Sequence, residues 1–205
     1  MARILILFAH PAFEKSRVHQ QLLPVVRDLD DITVHDLYEA YPTFDIDIEH
    51  EQALLAEHDL IVLQHPFYWY STPPIIKQWE DLVLEHDWAY GSKGNALRGK
   101  QLLSAMTAGG GEDAYQPNGY NQHTIREFLA PIEQTARLCQ MQYLPPFVVF
   151  GTHRMDAPEI REVAIHYQHF IGGLRDEQVD LTILQQHPVI TPALVGSILT
   201  GVLAS

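Results

Sequence analysis

One segment of the sequence places a hydroxyl between two cations at the start of a predicted helix. Ser16 stands between Lys15 and Arg17 within residues 10–19, and a helical pattern follows. The backbone N–H groups at a helix start have no partner inside the helix and attract anions. A hydroxyl and neighbouring cations strengthen such a site, so the segment predicts a phosphate-binding site. Capping of the helix alone would explain Ser16 equally well.

A second segment carries four consecutive aromatic residues between prolines. Residues 67–70 read FYWY, after Pro66 and before Pro73. Successive side chains of an extended segment face opposite sides, so the four rings cannot all enter one core. Rings held rigidly outside the core suit the face of a flat heteroaromatic ligand. A hydrophobic plug or a subunit interface is the alternative interpretation of these residues.

A third segment, residues 107–115, reads TAGGGEDAY. Glycines allow the backbone to approach a ligand closely, and their N–H groups are then free to bond the polar edge of a ring. A triple glycine alone is weak evidence, because turns also use glycine. Three segments of this kind in one chain form a considerably stronger signal.

Each of these segments follows a predicted β-strand. Apolar runs alternate with helical patterns along the chain, which indicates an α/β fold with a doubly wound parallel sheet and helices on both faces. Ligands bind at the carboxyl ends of the strands in such a sheet, near the point where the strand order reverses, so the three segments should converge. The predicted strands are 3–8, 32–37, 60–63, 100–107 and 144–150, and the predicted helices are 17–28, 49–57, 74–86, 123–139 and 158–174.

Composition excludes several classes of function. Lys and Arg number 13 against 26 Asp and Glu, a net charge of −13, which disfavours nucleic acid as a partner. No run of about 20 apolar residues predicts a membrane span, and no signal peptide is evident, so we expect a cytoplasmic protein. The single cysteine, Cys139, cannot form an internal disulfide and is expected to be an inert core thiol.

Motifs for other kinds of site are absent from the sequence. It contains no G-x-G-x-x-G, no P-loop lysine motif and no G-x-S-x-G, and its 12 histidines do not form a metal-binding motif, so we predict no metal. Length and pattern predict one domain over residues 1–175 and an extension over 176–205. The extension is either an arm packed on this subunit or on a partner subunit, or a docking segment for another protein.

Several quoted stretches together carry a family resemblance over about residues 3–175. They are ILILFAHP, VHDLYEAYPTFDIDIEHEQALL, LIVLQHPFYWYSTPPIIKQWEDLVLEHDWAYG, LRGKQLL, TAGGGEDAY and TARLCQMQYLPPFVVFG. The sequence resembles the flavodoxin-fold NAD(P)H:quinone oxidoreductases. Within them it is similar to small bacterial ancillary subunits of glutathione-regulated potassium efflux antiporters. The resemblance implies a flavodoxin-like five-stranded sheet of order 2-1-3-4-5.

The resemblance also implies a flavin site and a residue beside the substrate. Tyr115 matches a tyrosine that stabilises the reduced flavin or donates a proton. Two positions depart from the family pattern: His19 stands where Asn is usual, and Ala108 replaces a Thr. The implied cofactor-binding residues are His10, Ser16, Arg17, Val18 and His19 near the phosphate, and Phe67, Tyr68, Trp69, Tyr70, Thr107, Ala108, Gly109 and Gly110 near the isoalloxazine ring.

The activity implied by the resemblance is a two-electron, ping-pong reduction of a quinone-like acceptor. FMN, rather than FAD, is the implied cofactor, and NAD(P)H is the co-substrate. A homodimer is expected. The alternative is a regulatory subunit that binds and activates a potassium/proton antiporter at the inner face of the cell membrane, with redox activity secondary.

Overall fold

A parallel sheet forms the centre of the protein, for which a computed structural model describes residues 1–200. The strands run in the order β2-β1-β3-β4-β5, and β6 also pairs with β4. This order and the helices on both faces confirm the predicted flavodoxin-like fold. The strands are β1 (Ile4–Phe8), β2 (Ile32–Asp36), β3 (Leu60–Pro66), β4 (Gln101–Thr107), β5 (Gln142–Tyr143) and β6 (Phe147–Val149).

The central strands are apolar throughout because both faces of the sheet are covered. Along β1, Leu5 and Leu7 belong to one buried cluster, and Ile4 and Ile6 belong to the other. All five residues of β1 are buried. Continuous apolar runs of this kind are typical of parallel strands that lie between two helical layers.

Only part of the fifth predicted strand, 144–150, forms a strand in the structure, and a second short strand precedes it. β5 and β6 pair with β4 on either side of the stretch 144–146, which reads Leu-Pro-Pro. Proline has no backbone N–H and cannot donate to the strand ladder, so the two prolines interrupt the pairing. The prediction located β6 but missed β5, which lies before the predicted range.

Two predicted helices are also divided. The stretch 17–28 forms α1 and α2, and 123–139 forms α6 and α7; Pro24 begins α2, and Pro131 lies in the first turn of α7. Proline suits the first turn of a helix and disrupts the interior, which explains both breaks. The helices are α1 (His19–Leu22), α2 (Pro24–Arg27), α3 (Leu37–Ala40), α4 (Ile48–Glu57), α5 (Pro74–Val83), α6 (Ile125–Phe128), α7 (Ala130–Leu138), α8 (Ala157–Arg175), α9 (Leu181–Leu184) and α10 (Val195–Ile198). Within residues 1–200, no helix has both the length and the apolar character needed to cross a membrane.

Residues 176–200 pack on the same chain. The backbone of Ile190 bonds the edge of the sheet through Val148 N–H to Ile190 O and Ile190 N–H to Pro146 O, each 2.8 Å. Leu184, Ile190 and Val195 are buried in the core on that face. Residues 201–205 of the predicted extension lie outside the described part of the chain, and the boundary at 175 stays a prediction.

One buried carboxylate connects α4 to β2 and α5. Glu51 is fully buried and accepts hydrogen bonds from His35 Nε2 (2.6 Å), Tyr41 OH (2.6 Å) and Trp79 Nε1 (2.7 Å). Glu51, His35 and His50 have potential metal-ligand atoms that lie within 4.8 Å of one another. Because its oxygens already accept three hydrogen bonds, Glu51 serves the fold as a buried acceptor.

Cys139, at the end of α7, is also buried. Burial, together with the nearby Glu80 carboxyl, raises the pKa of its thiol to about 11. A thiol of this kind carries little thiolate at neutral pH and is poorly reactive.

Candidate active site

The carboxyl ends of β1, β3 and β4 lie side by side and open into a cleft. Backbone hydrogen bonds join Ala9 N–H to Gln64 O (2.9 Å) and Phe67 N–H to Thr107 O (2.8 Å). Two adjoining cavities of about 400 and 450 Å³ share Phe67, Gly109 and His153 in their linings. The three segments singled out in the sequence therefore surround one continuous cleft.

One end of the cleft is the predicted phosphate segment. Lys15, Ser16, Arg17 and Val18 line it. Among the described residues, the backbone N–H groups of Arg17 and Val18 have no hydrogen-bond partner. Two consecutive free N–H groups beside two cations can bind an anion. We call residues 15–18 the phosphate end.

Ser16 also has the capping role that was the alternative interpretation. Its Oγ accepts a hydrogen bond from the backbone N–H of His19, the first residue of α1, at 3.1 Å. Arg17 Nη2 donates to Met155 O at 2.8 Å. The hydroxyl therefore stabilises the turn that presents the free N–H groups, and the contact to Met155 holds the guanidinium near them.

His10 presents one ring nitrogen to the same end of the cleft. Its Nδ1 accepts a hydrogen bond from Ala12 N–H at 3.1 Å, so the neutral ring carries its proton on Nε2. Burial lowers the pKa of His10, against the opposing effect of Glu14. The ring is therefore a neutral hydrogen-bond donor at physiological pH.

The aromatic segment divides between the core and the cleft. Phe67 is buried, whereas Trp69 is 93% exposed. Trp69 and Tyr70 form the centre of a tight turn closed by Ser71 N–H to Tyr68 O at 3.0 Å, with φ of 50° and 64°. This left-handed backbone costs about 1–2 kcal/mol for each L-residue, and such strain clusters at functional sites. The turn holds two large rings out of the core at an energetic cost.

The glycine segment lines the same cavity as the aromatic turn. Among the described residues, the backbone N–H groups of Gly109 and Gly110 have no hydrogen-bond partner. A Cβ placed on Gly109 would lie 2.3 Å from Nε2 of His153, so a larger residue would meet that ring within the cleft. We call Trp69, Tyr70, Gly109 and Gly110 the ring end of the cleft.

Tyr115 closes the second cavity. Its ring is buried and contacts the rings of Phe67 and Phe150, with centroid distances of 5.9 and 5.8 Å. Burial, and then the nearby Tyr70, raises the pKa of the Tyr115 hydroxyl. The hydroxyl therefore stays protonated at neutral pH and is able to donate.

The structure brings most of the predicted site residues to the cleft, but not two of them. Ala108 is buried, and its N–H is bonded to Val149 O at 2.8 Å, so it is not free for a ligand. His19 is fully buried and bonds Thr107 Oγ1 and the Gln64 side chain. The residues that do line the cleft are His10, Ser16, Arg17, Val18, Phe67, Tyr68, Trp69, Tyr70, Thr107, Gly109, Gly110 and Tyr115.

Sequence reasoning missed His153, which lines both cavities. It follows β6, at the fifth position of the sheet, where the chain also leaves a strand at its carboxyl end. The rule that pointed to the other three segments applies to this one too. Tyr120 and Asn121, which line the second cavity, were likewise not predicted as site residues.

Comparison with known proteins places this cleft in a family. A family model described as a flavodoxin-like fold matches residues 2–171. The glutathione-regulated potassium-efflux system ancillary protein KefG of Pectobacterium carotovorum is 43% identical over 86% of this chain and 96% of its own length.

Two solved structures are similar over nearly their whole length. General stress protein 14 of Treponema denticola, in complex with FMN, is 40% identical, with a TM-score of 0.80 over 84% of this chain and 99% of that one. An NADPH-quinone reductase from P. pentosaceus is 31% identical, with a TM-score of 0.74 over 82% and 96% of the two chains. The chain thus belongs to the flavodoxin-like family.

Proposed function

We propose that this chain is an FMN-dependent oxidoreductase that passes two electrons from NAD(P)H to a quinone-like acceptor. One observation carries the proposal: within the described residues, a single cleft has free backbone N–H groups beside cations at its phosphate end, and it has both exposed aromatic rings and free glycine N–H groups at its ring end. FMN has this combination of a phosphate and a flat ring with polar edges. The FMN complex of the Treponema denticola relative and the NADPH-quinone reductase of P. pentosaceus support the same choice.

The residues present fit FMN on two structural grounds. In the part of the chain that the structure describes, the N–H groups of Arg17 and Val18 are unpartnered donors suited to phosphate oxygens. Gly109 forms a cradle that a Cβ would fill, because that atom would lie 2.3 Å from His153. When bound there, FMN would supply the two-electron chemistry, taking a hydride from NAD(P)H and passing two electrons on to the acceptor.

The protein's own groups orient the reactants and manage protons. The exposed rings of Trp69 and Tyr70 offer apolar faces on which a bound ring system can pack. The N–H groups of Gly109 and Gly110 are fixed dipoles suited to negative charge that develops on a ligand. The protonated hydroxyl of Tyr115 gives a proton to the acceptor as it is reduced, and the tyrosinate that is left takes a proton back from solvent. Donor and acceptor use the same cleft in turn, which gives ping-pong kinetics.

Reconstitution tests this proposal directly. The purified protein is incubated with FMN, freed of excess cofactor and titrated anaerobically with NADH or NADPH, followed by a soluble benzoquinone. We expect one FMN per chain, bleaching of the flavin absorbance by NAD(P)H and its return with quinone. Protein that takes up no FMN would refute the cofactor, and bleached flavin that quinone does not reoxidise would refute the acceptor.

A second candidate function is regulation of a potassium/proton antiporter at the inner face of the membrane. It is favoured by the similarity to KefG, which extends over 96% of that protein. Co-purification with the antiporter, compared between wild type loaded with FMN and wild type from which FMN has been removed, separates the two roles. Binding that survives loss of FMN supports a regulatory subunit, and the absence of any binding removes it.

We further propose that two copies of the chain associate over the mouth of the cleft. Trp69 is 93% exposed and Tyr120 is 89% exposed at this mouth, which is a large apolar surface to leave in water. Light scattering during size-exclusion chromatography measures the mass of the particle. The mass of a single 23.4 kDa chain at micromolar concentration would contradict the dimer.

A further inference from the structure

A line of buried polar side chains crosses the apolar layer between the sheet and α8. Tyr167 of α8 lies 2.9 Å from Gln64 Oε1 through its hydroxyl, and Gln64 Nε2 lies 3.3 Å from His19 Nδ1. His19 Nε2 lies 3.1 Å from Thr107 Oγ1. The first three residues are fully buried, and only Thr107 reaches the cleft, at its phosphate-side cavity. The four residues form a hydrogen-bond network that begins in the core and ends at the cleft.

The direction of the hydrogen bonds in this network is fixed at its buried end. The Tyr167 hydroxyl carries a proton, and among the described residues its one hydrogen-bond partner is the Gln64 side chain. If the amide were reversed, its NH₂ group would face the phenol, and the phenol proton would be buried without an acceptor. A buried donor without an acceptor loses its hydration and gains nothing in return. Tyr167 therefore donates to the Gln64 oxygen.

The remaining bonds follow in sequence. The Gln64 NH₂ group faces His19 Nδ1, which must accept, so the neutral imidazole carries its proton on Nε2. Burial, with further effects of His10 and His65, lowers the pKa of His19 well below its ordinary value, which keeps the ring neutral. Nε2–H then donates to the Thr107 oxygen, which leaves the Thr107 proton without a partner among residues 1–200.

We propose that Tyr167, Gln64 and His19 are positioning residues that force the Thr107 hydroxyl to act as a hydrogen-bond donor towards the cleft. A lone threonine hydroxyl rotates and either donates or accepts. Here His19 occupies one of the two lone pairs of the oxygen and cannot accept its proton, so the proton is left for the cleft, where it favours an acceptor atom of the ligand. Under the proposed function, on which this step rests, that atom is an oxygen or an unprotonated nitrogen of FMN.

The tautomer of His19 tests the direction of the hydrogen bonds in the wild-type protein without any cofactor. Nitrogen-15 NMR of histidine-labelled protein distinguishes a protonated from an unprotonated ring nitrogen, and the spectrum of a His19→Asn variant identifies the His19 signals. We expect Nε2 to be protonated and Nδ1 to be bare from pH 5 to pH 8. A proton on Nδ1, or a doubly protonated ring in this range, would overturn the proposal.

A double-mutant cycle between the two ends tests the coupling. Thr107→Val removes the hydroxyl, and FMN affinity, measured by quenching of flavin fluorescence, is expected to fall about three- to tenfold. Tyr167→Phe changes nothing in the cleft, yet it frees the Gln64 amide to reverse, so we expect a smaller loss of affinity. The double variant should be no weaker than Thr107→Val alone.

Two controls make the outcome decisive. Tyr143→Phe removes another buried phenol, which bonds Ser104 Oγ at 2.9 Å and is not part of this hydrogen-bond network. This variant should leave FMN affinity unchanged. Thr107→Ser keeps the donor and should retain affinity. Equal losses in Tyr167→Phe and Tyr143→Phe, or additive losses in the double variant, would show a merely structural network. If wild type binds no FMN, the proposed function fails, and the NMR result still decides the direction of the hydrogen bonds.

Discussion

The strained aromatic turn allows fold stability and cofactor affinity to be tested separately at one position. Trp69 has φ of 50° and is 93% exposed, so its side chain makes few contacts that a substitution would lose. We compare Trp69→Gly with Trp69→Ala. Both remove the ring, but only glycine relieves the left-handed backbone.

The expected magnitudes follow from this geometry. A left-handed L-residue costs about 1–2 kcal/mol, and the greater freedom of glycine in the unfolded chain takes back about 0.5–1 kcal/mol. From the middle of each range, Trp69→Gly should be about 0.75 kcal/mol more stable than Trp69→Ala, which raises Tm by about 1.5–3 °C in a chain of this size. Loss of ring stacking should weaken FMN binding about tenfold in both variants.

Thermal unfolding of the FMN-free proteins measures the first quantity, and fluorescence titration with FMN measures the second. A glycine variant no more stable than the alanine variant would refute the strain. FMN affinity equal to that of wild type in both variants would remove Trp69 from the ring end of the cleft.

Three further predictions address other parts of the molecule. Gly109→Ala should weaken FMN binding at least tenfold, while the exposed His153 ring turns aside and the free energy of unfolding changes by less than about 0.5 kcal/mol; unchanged FMN affinity would contradict the cradle. Tyr115→Phe should lower kcat for quinone reduction about a hundredfold with FMN affinity retained; full activity in steady-state assays would remove its proton-donor role. Burial alone would raise the pKa of Glu51, but its three hydrogen bonds lower it. The carboxylate therefore stabilises the fold at pH values above its ordinary pKa of 4.5, and this stabilisation is lost as the pH falls through the lowered pKa. Glu51→Gln should therefore cost about 2–4 kcal/mol in urea unfolding at pH 7 and less at pH 4; an equal cost at both pH values would contradict this linkage.

The sheet and the convergence of three segments at its edge were predictable from local pattern. Continuous apolar runs such as that of β1 fix where buried parallel strands lie, and the carboxyl-end rule then locates the cleft. The same patterns did not predict the interruptions at Pro24 and Pro131, because apolar periodicity continues across them. Proline chemistry, rather than periodicity, sets those boundaries.

The orientation of individual site residues was beyond local pattern. His19 turns into the core because Gln64 and Thr107, 45 and 88 residues away in sequence, complete its hydrogen bonds. No feature near His19 in the sequence reveals these partners. Likewise, the residue types Trp69 and Tyr70 do not predict a turn with two positive φ values, since such turns favour Asn and Gly.

A crystal structure of the protein grown with FMN tests the central claim most directly. We predict that the phosphate binds at the N–H groups of Arg17 and Val18 and that the isoalloxazine ring lies between the aromatic turn and Gly109. FMN bound at another surface, or a cleft that stays empty at saturating FMN, would contradict the account.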